Sequence, residues 1–554
     1  MFRKRTIQER LWEILPGLQF WVVFFGSILL SFYLPVWAAL IIICFDLYWV
    51  LKAINVAVHL LSSYRKFKFI VTIDWQDYAN RLRNFQSFSE FLDVHRKAAK
   101  TSLPKKFYGQ ELNKIENFIA RGKTGGDYLN YYQVILIPFI DESFEVLDST
   151  FSALTASHYP KDKMIMLLAS EERAGASAQK ISAQIKEKYQ NNFYKFFITI
   201  HPDGLLGEIK GKSANASYAL QSILPELEKS GIKDEQVLVS NFDSDTIIHP
   251  QYFARVMYEF LTADKPYQKS YQPIAIYNNN IWDSPAIIRV VSVSNSFWQF
   301  TESSRPDRLR TFSSHTMTLK ALIDVGFWKK DIVNEDGYIY WQCYLRYNGD
   351  YQVVPLFIPI SLDTCLAATT WQTLKNQYKQ KRRWAYNVEY YSHLIPQLLK
   401  SKAPFWDRMY KIYQYAEGNF NWATASILIT LLGRLPLYVG GDAFYQSVVG
   451  YNLPKITVVL LNIALVFLIF SVYINMVLLP PRPKKYSVWR SVMMYVQWIF
   501  VPVVSVLFGS LPAVEAQTRL MFGKYLEFWV TPKARKGENT GLTMKEMQNV
   551  EVKI

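Results

Sequence analysis

VLVSNFDSDTIIHP, residues 237–250, fixes how the rest of the chain is to be read. A short apolar run ends at Asp243-Ser244-Asp245. Two carboxylates one residue apart, where a buried strand meets a loop, can both reach one small charged object. Oxygen donors of that kind suit Mg²⁺ or Mn²⁺, which in turn hold a diphosphate. Asp-x-Asp also occurs in solvated turns, so its company along the chain decides. Upstream, QVILIPF (133–139), MIMLLAS (164–170) and FYKFFITI (193–200) read as strands. Residues 143–156 and 212–227 have helical spacing between them. Strands alternating with helices predict a mostly parallel sheet with helices on both faces. Ligands of such sheets gather at the carboxyl ends of strands, and Asp243 and Asp245 lie at one.

Composition points to a membrane. Half of the 554 residues are apolar, 16% are aromatic and only 19% are charged. The net charge of +16 would suit a nucleic-acid binder, but long apolar runs sit at both ends of the chain. Basic residues flanking such runs mark cytoplasmic loops, so membrane lipids and not nucleic acid are the expected partners. Cys44, Cys343 and Cys365 form no disulfide or zinc pattern, in keeping with a reducing compartment.

Six regions follow. Residues 1–64 form a transmembrane hairpin: one apolar run from Leu18 to Leu34, a break at Pro35, then a second to about Tyr64, each near the 20 residues needed to span. Asp46 lies inside the second run, where it either bonds a neighbouring helix or lines a polar conduit. Residues 65–126 are basic short helices expected at a membrane surface, ending in a glycine linker. Residues 127–370 are the α/β domain, 371–417 interfacial helices, 418–512 a second membrane region, and 513–554 an amphipathic helix, a loop and a tail.

Four further motifs accompany the Asp-x-Asp turn. Lys212 and Asn215 open a helix, Glu335-Asp336 precede another, QKRRW occupies 380–384 and FWVTPK occupies 528–533. Together they resemble the membrane-embedded, inverting GT-A glycosyltransferases of family 2 that include cellulose synthase and hyaluronan synthase. That pattern is Asp-x-Asp, Thr-Glu-Asp, Gln-x-x-Arg-Trp, here Asp243-Ser244-Asp245, Asn334-Glu335-Asp336 and Gln380 to Trp384. The resemblance covers about residues 130–390, and FWVTPK is similar to the gating loop of bacterial cellulose synthases. It implies a cytoplasmic GT-A domain, Rossmann-like with a mostly parallel sheet, inserted between transmembrane and interfacial helices of the inner or plasma membrane.

The resemblance also implies roles. Asp245 is the direct ligand of Mg²⁺ or Mn²⁺, and Asp243 reaches both nucleotide and metal. Asp336 is the base that takes the acceptor proton, with Glu335 beside it raising its proton affinity. Arg383 goes to the diphosphate, Gln380 and Trp384 to the acceptor, Lys212 and Asn215 to the nucleotide. Phe528, Thr531 and Lys533 form the gate. The family usually carries an Asp-rich loop for the base and ribose; here Ser170-Glu171-Glu172-Arg173 stands in its place, leaving open whether Glu171 or Glu172 serves. The donor is a nucleoside-diphosphate sugar, a UDP-sugar ahead of a GDP-sugar. The acceptor is a growing polysaccharide, with a single transfer onto a lipid carrier, or a non-catalytic export subunit, as alternatives. The positive-inside rule requires an even number of crossings between the domain and the basic tail, yet three apolar runs lie between them. Residues 491–511, with Pro502 inside, are therefore expected to be re-entrant or interfacial.

Overall fold

The computed structural model describes residues 5–531. The strands are β1 Tyr132–Pro138, β2 Met164–Glu171, β3 Lys195–His201, β4 Val237–Asn241, β5 Ile247–Ile248, β6 Lys269–Tyr277, β7 His315–Thr318 and β8 Gln352–Leu362. They form one sheet in the order β3-β2-β1-β4-β7-β6-β8-β5. β1 pairs in parallel with β2 and β4, and β2 with β3. Val134 to Ile137 of β1 are wholly buried, as a central strand covered on both faces demands, and so they read as a continuous apolar run. β6 and β8 are parallel, whereas β7 runs antiparallel to β4 and β6, and β5 to β8. The α/β, mostly parallel, Rossmann-like sheet flanked by apolar helices is thus the fold, with antiparallel strands beyond the Asp-x-Asp turn.

One face packs on the helix Phe144–Thr155 through Leu147, Phe151 and Leu154. The other packs on Lys212–Lys229 through Ala216, Leu220 and Ile223, and on Trp341 of the helix Glu335–Arg346. The helices Trp75–Arg81, Phe85–Ala98 and Ser102–Ala120 direct Trp75, Phe88 and Ile115 into the domain core. Their packing on the domain is close: Arg255 lies over the Trp75 ring at 3.8 Å, and Tyr258 meets it at 5.1 Å.

Five helical stretches are long and apolar enough to cross a membrane: Ile7–Tyr33, Pro35–Ile70, Phe405–Val439, Val448–Val466 and Val488–Met521. Pro35 starts the second at a position where a missing N–H is harmless, and that helix continues to Ile70, past the expected end. Asp46 is buried and accepts a hydrogen bond from Thr457 Oγ1 at 3.2 Å, the helix–helix bond of the two expectations. The helix Phe405–Ile427 runs unbroken through residue 417, where the sequence divides interfacial from membrane segments. The last stretch is broken by a 3₁₀ turn at Gln497–Phe500 and a π turn at Ser505–Ser510, around Pro502.

Candidate functional site

β4 ends at Asn241, and the chain then turns through Asp243, Ser244 and Asp245. Buried bonds pin the turn. Thr150 Oγ1 donates to Ser244 O at 2.7 Å, and Ser244 Oγ donates to Glu142 Oε1 at 2.7 Å. Asp243 faces Lys212 Nζ at 2.7 Å and accepts from Ser313 Oγ. Asp245, 3% exposed, accepts from the Asp363 amide at 2.8 Å. Asn279 Nδ2 ties the same corner, donating to Asp245 O at 3.1 Å and to Asp363 Oδ1 at 2.9 Å.

Lys212 begins its helix after Gly211, on which Phe528 packs: a Cβ at 211 would lie 3.1 Å from Phe528 Cγ. Its ammonium also lies 3.6 Å from Asp336 Oδ1. Burial alone would strip the lysine of its proton, but the charges of Asp243, Asp336 and Glu335 raise its pKa instead. Asn215 donates to Ala169 O at 2.9 Å, while its buried Oδ1 has no hydrogen-bond partner among the described residues.

Glu335 and Asp336 open the helix Glu335–Arg346. The backbone ahead of them is held by Glu389, which accepts from Val333 N at 2.8 Å and Asn334 N at 3.3 Å. Thr311 Oγ1 donates to Asp336 O at 2.6 Å. Asp336 Oδ1 makes no hydrogen bond among the described residues. Burial, with the Asp336 charge behind it, pushes the Glu335 carboxyl up. Glu335 is the buried member of the pair, 3% exposed.

On the helix Thr370–Ala385, Gln380 Nε2 meets Thr531 Oγ1 at 3.3 Å, and the Arg383 guanidinium lies 4.8 Å from the Phe528 ring. Trp384 stands 6.2 Å from Tyr277. One cavity of about 760 Å³ gathers Glu171, Lys212, Asn215, Asp243, Asp245, Glu335, Asp336, Gln380, Arg383, Trp384, Phe528 and Thr531. Glu172 stays outside it, exposed, accepting from Asp203 N at 3.0 Å. Lys533 lies outside the described residues. Sequence reasoning missed Asp363, Ser313 and Tyr277, which line the same cavity. Asp363 carried a signal: β8 is an apolar run ending on an aspartate, as β4 nearly is.

Among the described residues no three His, Cys, Asp or Glu side chains converge as a metal cage. Asp243 and Asp245 offer a pair of hard oxygen donors on one turn. Such a pair fits a cation that completes its shell from phosphate and water, the usual habit of Mg²⁺. The cavity therefore offers carboxylates for a divalent ion, fixed cations for an anionic group, a flat indole face and a carboxylate oxygen without a hydrogen bond.

The same cavity continues between the apolar helices, past Trp49, Trp341, Tyr415, Asn419, Asn421 and Trp422 to Ser510.

Neither a protein-family model nor a curated protein matches the chain. Among solved structures it is similar to a mannosyltransferase from Pyrobaculum calidifontis in complex with GDP-Man and Mn²⁺. The identity is 12% over 80% of this chain and 100% of that one, with a TM-score of 0.39. It is also similar to S. aureus TarS in complex with UDP-GlcNAc, at 10% identity over 71% of this chain and 93% of that one, TM-score 0.35. At these scores the likeness decides nothing about the chain's chemistry.

Proposed function

We propose that this chain is an inverting, metal-dependent glycosyltransferase that moves a sugar from a nucleoside diphosphate to a growing polysaccharide at the membrane. The observation that carries the reading is the single cavity. It joins the Asp243–Asp245 turn, Asp336 and the Gln380–Trp384 motif, then continues between apolar helices along tryptophans and amides. In this reading the donor diphosphate sits by Asp243, Asp245, Lys212 and Arg383. A Mg²⁺ or Mn²⁺ ion held by Asp245 and Asp243 would supply charge neutralisation of the leaving diphosphate. The acceptor sugar rests on Trp384 with Gln380 beside it. Its hydroxyl oxygen bonds to the anomeric carbon while the bond from that carbon to the diphosphate oxygen breaks on the opposite face. The hydroxyl proton passes to Asp336. Burial favours the protonated form of Glu335 beside it. Of Glu171 and Glu172, Glu171, the last residue of β2, lines the cavity and would meet the nucleoside. Phe528 and Thr531 close the cavity from the C-terminal segment.

The same reading sets the membrane topology. Residues 480–486 return to the domain: Trp282 Nε1 donates to Pro480 O at 3.0 Å, and Lys485 pairs with Asp283 at 3.0 Å. Phe444 instead packs on Ala39 and Leu453, next to the turn between the first two helices. The stretch Val488–Met521 touches the domain throughout: Arg490 donates to Ser284 O at 3.0 Å, Val504 and Phe508 pack on Val290 and Val291, and Arg382 pairs with Glu515 at 2.5 Å. It therefore lies on the domain side, leaving four crossings and a cytoplasmic domain and tail.

Transfer of one sugar to a lipid carrier draws on the small number of crossings, and an inactive export subunit would lack turnover. Incubating membranes with a panel of labelled UDP- and GDP-sugars and sizing the product tests all three. A long product supports the polymerase, a single lipid-linked sugar replaces it, and no turnover of any donor overturns the enzyme.

A further inference from the structure

Arg5, Arg10 and Glu13 stand at the start of the helix Ile7–Tyr33, ahead of its apolar run. They gather around the end of the last helix, Leu511–Met521. Arg10 Nη1 donates to Leu520 O at 3.1 Å, 510 residues away in sequence, and Nη2 donates to Met521 O at 2.9 Å. Both carbonyls belong to the last turn, where the helix dipole favours a cation. The chain then leaves the helix through Gly523, whose φ of 69° is open to glycine without steric cost. A Cβ there would lie 3.6 Å from Arg10 Nη2. Glu13, 1% exposed, orients the group. It pairs with Arg10 and with Arg5 Nε at 3.0 Å, and it accepts from the Tyr525 hydroxyl at 2.9 Å. The Arg5 guanidinium also lies 5.4 Å from the centroid of the Tyr525 ring.

Pairing of these two helices does not call for such a group. They already meet closely where no charge is involved: a Cβ at Gly17 would lie 2.9 Å from Gln517 O and from Met521 Cβ, and Trp21 Nε1 donates to Thr518 Oγ1 at 3.1 Å. A buried ion group carries a desolvation cost that apolar packing avoids. Its presence is accounted for by what it holds, the chain beyond the helix end. Tyr525 is three residues before Phe528, at most about 10–11 Å of extended chain. Phe528 packs on Gly211 and lies beside Arg383, and Thr531 meets Gln380. With Tyr525 fixed, the segment cannot swing far from the cavity, and the local concentration of Phe528 at Gly211 stays high. Without that hold the tether begins at Met521, seven residues from Phe528 instead of three.

We propose that Arg10 and Glu13, together with Arg5 and Tyr525, are positioning residues for sugar transfer: they clamp the exit of the last helix so that Phe528 and Thr531 seat on the cavity. This rests on the glycosyltransferase reading of that cavity. The test is amide hydrogen exchange, read by mass spectrometry on the purified full chain in lipid nanodiscs, with donor turnover measured on the same preparations. Arg10→Gln and, separately, Glu13→Gln should speed exchange across residues 522–531 by about tenfold or more, the worth of one charged hydrogen bond, and leave β1 unchanged. Both should lower kcat more than they raise KM for the donor. Nucleoside-diphosphate affinity should stay within about a factor of three, less than one such bond. Arg10→Lys keeps the cation and should recover part of the loss. Tyr525→Phe removes one hydroxyl and no charge; it should speed exchange at 522–531 too, and it decides the matter if a charge variant unfolds. Trp21→Phe weakens the same helix pair away from the clamp and should leave 522–531 at the wild-type rate. Wild-type exchange in Arg10→Gln, Glu13→Gln and Tyr525→Phe alike overturns the clamp, as does an equal rise in Trp21→Phe. Faster exchange with unchanged kcat overturns its part in transfer. If the wild type turns over no donor, it is the glycosyltransferase reading that falls, and exchange alone then tests the clamp.

Discussion

Asp243 and Asp245 look interchangeable in the sequence, and the fold treats them differently. Asp243 is salt-bridged to Lys212 at 2.7 Å and open to the cavity, whereas Asp245 is buried and anchors the Asp363 amide at 2.8 Å. Truncating Asp245 would therefore disturb the turn as well as any cation. Asp245→Asn keeps the acceptor oxygen and removes the charge. It should cut Mg²⁺- or Mn²⁺-dependent affinity for a nucleoside diphosphate by about tenfold or more while sparing the metal-free affinity. Calorimetry with and without the ion reads both, and equal affinities in the wild type would remove the metal from the account. Glu389 carries a different consequence. Burial pushes its pKa up to about 8, against the two backbone N–H groups it accepts. The folded state thus holds a proton that the unfolded chain releases near the ordinary glutamate value. That contribution is fully present below the unfolded pKa, about 4.3, and is lost as pH rises towards 8. Glu389→Gln keeps an acceptor for both amides and should flatten the fall in thermal stability between about pH 5 and 8. A variant with the wild-type slope would contradict this.

At the scale of elements, β1, β2 and β4 were legible because each is a buried apolar run bounded by a helix of the other period, and β3 as an apolar run at the sheet edge, whereas β6 and β8 went unread. β5 and β7 were not legible: Ile247–Ile248 and His315–Thr318 are two and four residues long, and no periodicity survives in so short a span. The Asp243–Asp245, Lys212 and Glu335-Asp336 motifs were legible because each sits at a strand end or helix start, where side chains project into the cavity, while Gln380 to Trp384 lie in the last turns of their helix. Ser313 carried no such mark, and Tyr277 ends a strand that the sequence did not reveal; tertiary pairing brings both to the cavity. The C-terminal segment is an element defined by its contact with one glycine. Gly211 lets Phe528 lie flat against the start of the Lys212 helix, and a Cβ there would come within 3.1 Å of the ring. Overpacking of this kind costs roughly 1–3 kcal/mol when the neighbour is fixed, but a loop residue can move away. Gly211→Ala should therefore leave the domain folded and release residues 522–531, seen as faster limited proteolysis after Tyr525 and Phe528. Unchanged cleavage would show that this contact does not hold the segment.

For the whole molecule, apolar length alone counts five spanning stretches, three of them after the domain, an odd number that would put the domain and Phe528 on opposite sides if all three crossed. Phe528 and Thr531 touch Arg383 and Gln380, so one stretch must stay on the domain side. In the proposed topology Val488–Met521 is that stretch, in keeping with its 3₁₀ and π breaks and its bond from Arg490 to Ser284. The odd count was visible in the sequence; which surface takes up the stretch was not, because that depends on Val290, Leu374 and Tyr378 meeting it from distant parts of the chain. In a Cys44→Ala background, Lys524→Cys should resist a membrane-impermeant thiol reagent applied outside intact cells, and Asp442→Cys should react. Labelling at 524 would overturn the topology.

The central claim is that Asp336 is the base of a transfer reaction whose donor binds independently of it. Asp336→Asn keeps size and shape and removes the proton acceptor. The decisive measurement compares, in one purified preparation, nucleoside-diphosphate affinity by calorimetry and sugar transfer from the donor that the panel identifies. The account predicts affinity within about a factor of three of wild type, well under the worth of one charged hydrogen bond, and transfer reduced by on the order of 10²–10⁴-fold. Transfer at the wild-type rate in Asp336→Asn would contradict it.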